Sequence, residues 1–300
     1  MKNIEIKGVI VPLLTPMNAD ETINEKELRN QVNHQIESGI HALFPLGTNG
    51  EAYILSSKEK EQVLKIVVDE AKGRVPVYGG TGCVSTKETI ELSLKAKEIG
   101  IDVLSIITPS FAAASQDELY EHYKEVAEAV DLPIVLYNIP ARTGNALAPA
   151  TVEKLSKIPN IVGVKDSSGN FDNMLQYIEK TRYRKDFAVL SGNDSLILWC
   201  LLAGGRGGIA GCANVFPSTM ASIYDTFVAG DLEKAREIQD SIRSFRDCFK
   251  FGNPNTIVKT AVSLLGYPVG KCRKPFCQVP EAGIEAIKKV LEANAAKGMK

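Results

Sequence analysis

From Gly8 onward the sequence alternates short apolar runs with amphipathic stretches of helical period, about eight times over. No other feature restricts the fold as strongly. Runs of four to six mostly aliphatic residues are too short for ordinary helices and suit strands buried on both faces. Strands are expected at 9–14, 42–46, 75–79, 103–107, 134–137, 161–165, 187–190 and 207–210, with helices near 24–39, 56–72, 86–99, 116–130, 149–157, 171–182, 194–203 and 218–229. Ser56 with Glu59, Ser85 with Glu88 and Ser115 with Glu118 have capping-box spacing, and Pro149 suits a first helical turn. Eight strand-then-helix units with right-handed crossovers close most simply into an α/β (β/α)8 TIM barrel; an open doubly wound sheet is the alternative. After Gly230-Asp231 only helical patterns follow, near 232–249, 255–266 and 280–296. The expected organisation is a catalytic barrel at 1–229 and a C-terminal helical extension at 230–300.

The charge balance bears on partners. With 35 basic and 36 acidic residues among 300, and a net charge of -1, there is no electrostatic reason to expect nucleic acid or an anionic membrane surface. Small molecules are favoured instead. Six scattered cysteines with no Cys-x-x-Cys pair read as reduced thiols in a cytoplasmic protein. The first residues lack the apolar run of a signal peptide, and no window is long and apolar enough for a membrane span. The three histidines, His34, His41 and His122, have no metal-ligand spacing, so no metal is expected.

Active sites of such barrels lie at the C-terminal ends of the strands, so polar residues there take priority. Lys165 ends the sixth apolar run, in Ile161-Val162-Gly163-Val164-Lys165-Asp166-Ser167-Ser168-Gly169. In a largely apolar mouth, desolvation favours the neutral amine that Schiff-base chemistry needs; the alternative is a lysine that snorkels to solvent. Strand two ends in Gly47-Thr48-Asn49-Gly50-Glu51, where backbone N–H groups, Thr48 and Asn49 could hold a small carboxylate, unless it is a plain turn. Strand five ends in Tyr137-Asn138-Ile139-Pro140-Ala141-Arg142, setting a proton-relaying phenol near a guanidinium able to clamp an acid. Strand eight, within Gly204-Gly205-Arg206-Gly207-Gly208-Ile209-Ala210-Gly211, permits close backbone approach; Gly208 and Ile209 are candidate substrate-binding positions, and packing is the competing role. Together, Lys165, Tyr137 and the 47–51 loop point to amine catalysis on a small 2-oxo acid.

At these residues the chain resembles the dihydrodipicolinate synthase and N-acetylneuraminate lyase superfamily of pyruvate-dependent class I aldolases. The likeness runs from Gly8-Val9-Ile10-Val11-Pro12-Leu13-Leu14-Thr15-Pro16 through Gly47-Thr48-Asn49-Gly50-Glu51, Tyr137-Asn138-Ile139-Pro140 and Gly163-Val164-Lys165 to the helical tail. It implies a carbon–carbon lyase in which Lys165 forms the imine with pyruvate, Tyr137 relays protons, and Thr48 and its neighbour hold the carboxylate. It further implies a homotetramer, a dimer of dimers, with neither metal nor organic cofactor. Arg142, and Asn253-Pro254-Asn255-Thr256-Ile257-Val258-Lys259, match the synthase branch, which joins pyruvate to aspartate semialdehyde in lysine biosynthesis. Two positions depart from that branch: Asn49 stands where synthases usually carry a second threonine, and Phe111 where they carry a tyrosine lent to a neighbouring subunit. Phenylalanine cannot move a proton, so either the relay shortens to Tyr137, Thr48 and water, or the acceptor differs. Cys272-Arg273-Lys274-Pro275-Phe276 looks like the tail of neuraminate lyases, and Gly-x-Asn-Gly-Glu also occurs in 2-keto-3-deoxy sugar acid and 4-hydroxy-2-oxoglutarate aldolases. Such a lyase is the first alternative, and a non-catalytic oxo-acid-binding barrel the second. Where lysine-sensitive synthases place their effector ligands, this chain has Ala52, Ser57, Lys60, Val84 and Ser110, with only Glu88 matching, which implies insensitivity to lysine.

Overall fold

The computed structural model describes residues 4–300. Eight strands, all parallel, alternate with helices: β1 (Gly8–Val11), β2 (Ala42–Leu43), β3 (Tyr78–Gly80), β4 (Val103–Ile107), β5 (Ile134–Asn138), β6 (Ile161–Asp166), β7 (Ala188–Ser191) and β8 (Gly207–Ile209). This is the (β/α)8 barrel that the alternation predicts, with further helices at Leu232–Ser241, Arg243–Arg246, Pro254–Leu264 and Glu281–Ala296.

Strand β8 stops one residue short of its expected run, and three other strands are shorter by more, each with a proline beside it. Pro12 follows the last residue of β1, Pro45 lies just beyond β2, and Pro76 delays β3 until Tyr78. A residue without an N–H cannot continue a ladder. The helix expected over 232–249 breaks at Ile242, which caps one helix and opens the next. Ser56 and Ser115 make both halves of their capping boxes; Ser85 accepts from the Glu88 N–H and its hydroxyl donates to the Glu88 carboxylate at 3.0 Å.

By contact the chain forms two compact units, neither of them continuous: one contains residues up to Gly8 together with Pro76–Ile209, the other Val9–Val75 together with Ala210–Lys300. In the first unit, β3 to β8 pair in chain order. Their buried side chains, among them Val103, Leu104, Ile106, Val135, Leu136 and Val164, make its core. In the second unit β1 pairs with β2 through Ile10↔Ala42 and Val11↔Leu43. The helices beyond residue 230 fold with this pair, so the change after Gly230 is one of element type, while the compact unit also takes in residues 9–75.

Candidate active site

In the first unit Lys165 ends β6 with 4% of its surface exposed, and its Nζ lies 3.7 Å from the centroid of the Tyr137 ring. A register shift in the ladder produces this meeting. Ile134 pairs with Ile161, but Val135 pairs with Gly163, leaving Val162 as an extra residue. An unbroken ladder would set Tyr137 opposite Val164; the bulge sets it opposite Lys165 and aims both side chains from one face. Gly192, after β7, makes room beside them. A Cβ there would lie 1.9 Å from Ser167 Oγ and 3.0 Å from Lys165 Cε. Ser167 Oγ is buried and has no hydrogen-bond partner among the described residues.

The other face of the same strand ends is fully committed. Asp166 accepts from Asn138 Nδ2 at 2.8 Å, the Ser168 N–H at 3.1 Å, Ser168 Oγ at 2.9 Å and Asn173 Nδ2 at 3.3 Å. Asn138 in turn accepts from the Leu147 N–H at 3.0 Å. The carboxylate next in sequence to Lys165 is therefore a structural anchor for two loops.

Arg142 is exposed on the short helix Pro140–Thr143, and its guanidinium makes no ion pair among the described residues. Asn145 fastens this segment to the loop after β4, donating to Pro109 O at 2.9 Å and Ala112 O at 2.8 Å and accepting from the Ala114 N–H at 2.8 Å. That loop carries Phe111, which is fully exposed and has a left-handed backbone, φ 81°. At β8, pairing puts Gly207 opposite Leu190, itself opposite Lys165, so Gly208 faces the other way. A Cβ on Gly208 would meet Ile197 Cγ1 at 2.7 Å, and one on Gly207 would meet Gly8 O at 2.0 Å. These glycines have packing reasons to be glycine. Ile209 alternates back to the face of Lys165 and is buried.

Thr48 and Asn49 belong to the second unit, half-buried in the loop after β2. Asn49 lies against the backbone of Gly211, where a Cβ would come within 2.9 Å of its Nδ2. Asn255 Nδ2 donates to Thr48 O at 2.6 Å. Glu51, wholly buried at the end of the loop, accepts from Lys259 Nζ at 2.6 Å and from the Arg273 N–H at 2.8 Å. Burial, with the Glu51 charge added, pushes the nearby Cys272 thiol up to about 12.

Sequence reasoning singled out Lys165, Tyr137, Thr48, Asn49, Arg142, Gly208 and Ile209. It missed Gly192, Ser167, Asn145 and the Glu51–Lys259 pair, because none has a local signal: each matters through a residue distant in the chain. Among the described residues no three His, Cys, Asp or Glu side chains are grouped to hold a metal ion, and no helix is long and apolar enough to cross a membrane.

A lysine and a tyrosine brought side by side at adjacent strand ends of a (β/α)8 barrel invite comparison with known proteins. The profile of the dihydrodipicolinate synthetase family matches residues 5–294. A 4-hydroxy-tetrahydrodipicolinate synthase from Methanopyrus kandleri is 41% identical over 291 residues, 96% of each chain. The dihydrodipicolinate synthase of Thermotoga maritima superposes with a TM-score of 0.94 at 31% identity, covering 97% of this chain and 99% of that one. A chloride-inhibited dihydrodipicolinate synthase from Acinetobacter baumannii, solved in complex with pyruvate, gives 0.93 at 35% identity, with 97% and 99% covered. Similarity of this extent, end to end and in both sequence and fold, makes the chain a member of the dihydrodipicolinate synthetase family.

Proposed function

We propose that the protein is a 4-hydroxy-tetrahydrodipicolinate synthase, a lyase that condenses pyruvate with aspartate semialdehyde through an imine on Lys165. The observation that carries this reading is the buried Lys165 amine over the Tyr137 ring at the ends of β6 and β5, in a chain of this family. Its relatives are named for that reaction, and one was solved with pyruvate bound.

In the proposed mechanism the neutral Lys165 amine attacks C2 of pyruvate, and the carbinolamine loses water to give a protonated imine. The cationic nitrogen is the electron sink, so no metal or organic cofactor is required. Loss of a C3 proton yields an enamine, and C3 forms the new bond to the aldehyde carbon, whose oxygen takes up a proton. The amino group carried by the semialdehyde then attacks C2 of the imine and displaces the Lys165 amine, which closes the ring of the product and restores the free lysine with no second water consumed. Tyr137 moves the protons, with Thr48 and water completing a relay in which Phe111 cannot take part. Thr48, Asn49 and N–H groups of the 47–51 loop take the pyruvate carboxylate, backbone at Gly208 and Ile209 adds contacts, and Arg142 reads the acid group of the second substrate. By the same resemblance the enzyme works as a cytoplasmic homotetramer.

Asn49 and the exposed Phe111 favour one second reading, an aldolase that cleaves a hydroxylated 2-oxo acid to pyruvate. Both readings need the imine. The first experiment is borohydride reduction with pyruvate, followed by intact mass and peptide mapping, on wild type and Lys165→Ala. A reduced adduct on Lys165 that the variant lacks is expected; no adduct overturns the whole class, including turnover by any acceptor. Aspartate semialdehyde is then compared with hydroxylated 2-oxo acids as substrates. Arg142→Ala should lose use of the semialdehyde while keeping the pyruvate adduct; equal loss of both would remove Arg142 from its role.

A further inference from the structure

The 47–51 loop has an unusual backbone and an unusual support. Leu46 and Glu51, its flanking residues, are both left-handed, φ 61° and 58°, although neither is glycine. Gly50 between them has no room for a side chain, since a Cβ would lie 2.9 Å from Leu13 O. Such a conformation persists only where surrounding contacts fix it.

Here the contacts come from the far end of the sequence. Lys259 Nζ, 1% exposed, donates to Glu51 Oε1 at 2.6 Å and to Lys271 O at 3.1 Å. The Arg273 N–H donates to the other oxygen, Glu51 Oε2, at 2.8 Å. One helical turn before Lys259 on the helix Pro254–Leu264, Asn255 donates to the carbonyl of Thr48 itself at 2.6 Å. On the other side Thr15 Oγ1 donates to Gly50 O at 2.7 Å. A buried ion pair is costly to assemble and adds little net stability, but it permits one geometry and penalises every other. Asn255 and Lys259 also share one helix, so they fix both ends of the Thr48–Glu51 turn at a set spacing.

We infer that Lys259 and Asn255 are positioning residues for carboxylate binding: through Glu51 and the Thr48 carbonyl they hold the loop in the shape in which Thr48, Asn49 and the backbone N–H groups meet the pyruvate carboxylate. The inference rests on the functional reading above and extends it to the C-terminal helices. Neither residue touches substrate. Their effect falls on the concentration of pyruvate needed, while Lys165 itself is left intact.

The test uses the full chain and measures the pyruvate concentration that gives half-maximal borohydride-trapped adduct, beside the plateau at saturation and the thermal midpoint. Asn255→Ala keeps the ion pair and should raise the half-saturating concentration several-fold at an unchanged plateau. Lys259→Met strands a buried carboxylate and lowers the yield of folded protein, so the matched double variant Glu51→Gln/Lys259→Met accompanies it. The double variant removes both charges, and it should fold and still require roughly tenfold more pyruvate. If Asn255→Ala and the double variant lower only the thermal midpoint, with wild-type half-saturation, the contacts are structural cement and the inference falls. Absence of adduct from the wild type would instead overturn the functional reading, and this inference with it.

Discussion

Two lysines among the described residues are buried almost completely, and on the proposed function they serve opposite ends. Lys259, 1% exposed, has its ammonium locked against the Glu51 carboxylate and a backbone carbonyl. Lys165, 4% exposed, lies over the face of an aromatic ring, while the neighbouring Asp166 is turned to the other side of the strand and occupied by four donors. Lys259 has its donors committed to a carboxylate and a backbone carbonyl, the arrangement of a structural tie. Lys165, beside a ring at the end of a strand, stands where the proposed imine chemistry needs an amine. Burial alone thus says little about a lysine's role; what it is buried against decides.

The comparison can be broken most directly by exchanging each lysine for methionine. Lys165→Met should abolish the pyruvate adduct without lowering the thermal midpoint, because a buried amine leaves and an apolar chain of similar length replaces it. Lys259→Met should do the reverse, costing about 3–5 kcal/mol in denaturant unfolding because Glu51 is left charged and buried. A loss of stability at Lys165 as large as at Lys259 would erase the distinction. Gly192→Ala sharpens it: the new methyl would drive Ser167 Oγ, 1.9 Å away, out of its place and press on Lys165 Cε at 3.0 Å, and the disturbed lysine should form the imine more slowly, by up to about 100-fold, measured by the rate of adduct trapping.

His122 supplies a third buried base. Its Nδ1 lies 2.9 Å from Thr86 Oγ1, its Nε2 is buried with no partner among the described residues, and burial holds its pKa down from 6.5 to about 4. Between those values the unfolded chain binds the proton and the folded one does not. Stability is therefore complete above pH 6.5 and falls by roughly 3 kcal/mol as the pH drops to 4. His122→Leu should flatten that limb of the stability profile; an unaltered limb would mean that His122 is not its source. The smallest effect expected is none at all, since millimolar lysine should leave turnover unchanged. Inhibition by lysine would show that Lys60 and its neighbours accept an effector after all.

Much of the fold is legible in the sequence. The alternation of strands and helices and the capping residues follow from periodicity, and Lys165 and Tyr137 become candidates by standing at strand ends. That the two residues meet does not follow from either, because the pairing depends on the extra Val162, and an apolar β-branched residue in an apolar run gives no sign that it is a bulge. Glu51 and Lys259 each fall in a motif, the 47–51 loop and the 253–259 segment, but at 208 residues apart nothing local says that the two pair. Asn145 is similar: one asparagine in a loop, whose three bonds to the preceding loop exist only once both are folded. Local grammar reveals elements, and chemistry at their ends reveals candidates, but polar ties between remote segments have no local signature.

The second compact unit is assembled from the two ends of the chain, Val9–Val75 and Ala210–Lys300, with the first unit's Pro76–Ile209 inserted between. During synthesis the 47–51 loop leaves the ribosome long before Lys259 exists, and it must wait for the last third of the polypeptide before its left-handed turn has any support. The inserted stretch has its strands paired in chain order and can organise as it emerges. The 47–51 loop is then among the last parts of the molecule to mature, so a chain ending anywhere between residues 166 and 258 would carry Lys165 without a supported loop, and on the proposed function the onset of pyruvate binding would report the arrival of the helix that bears Lys259.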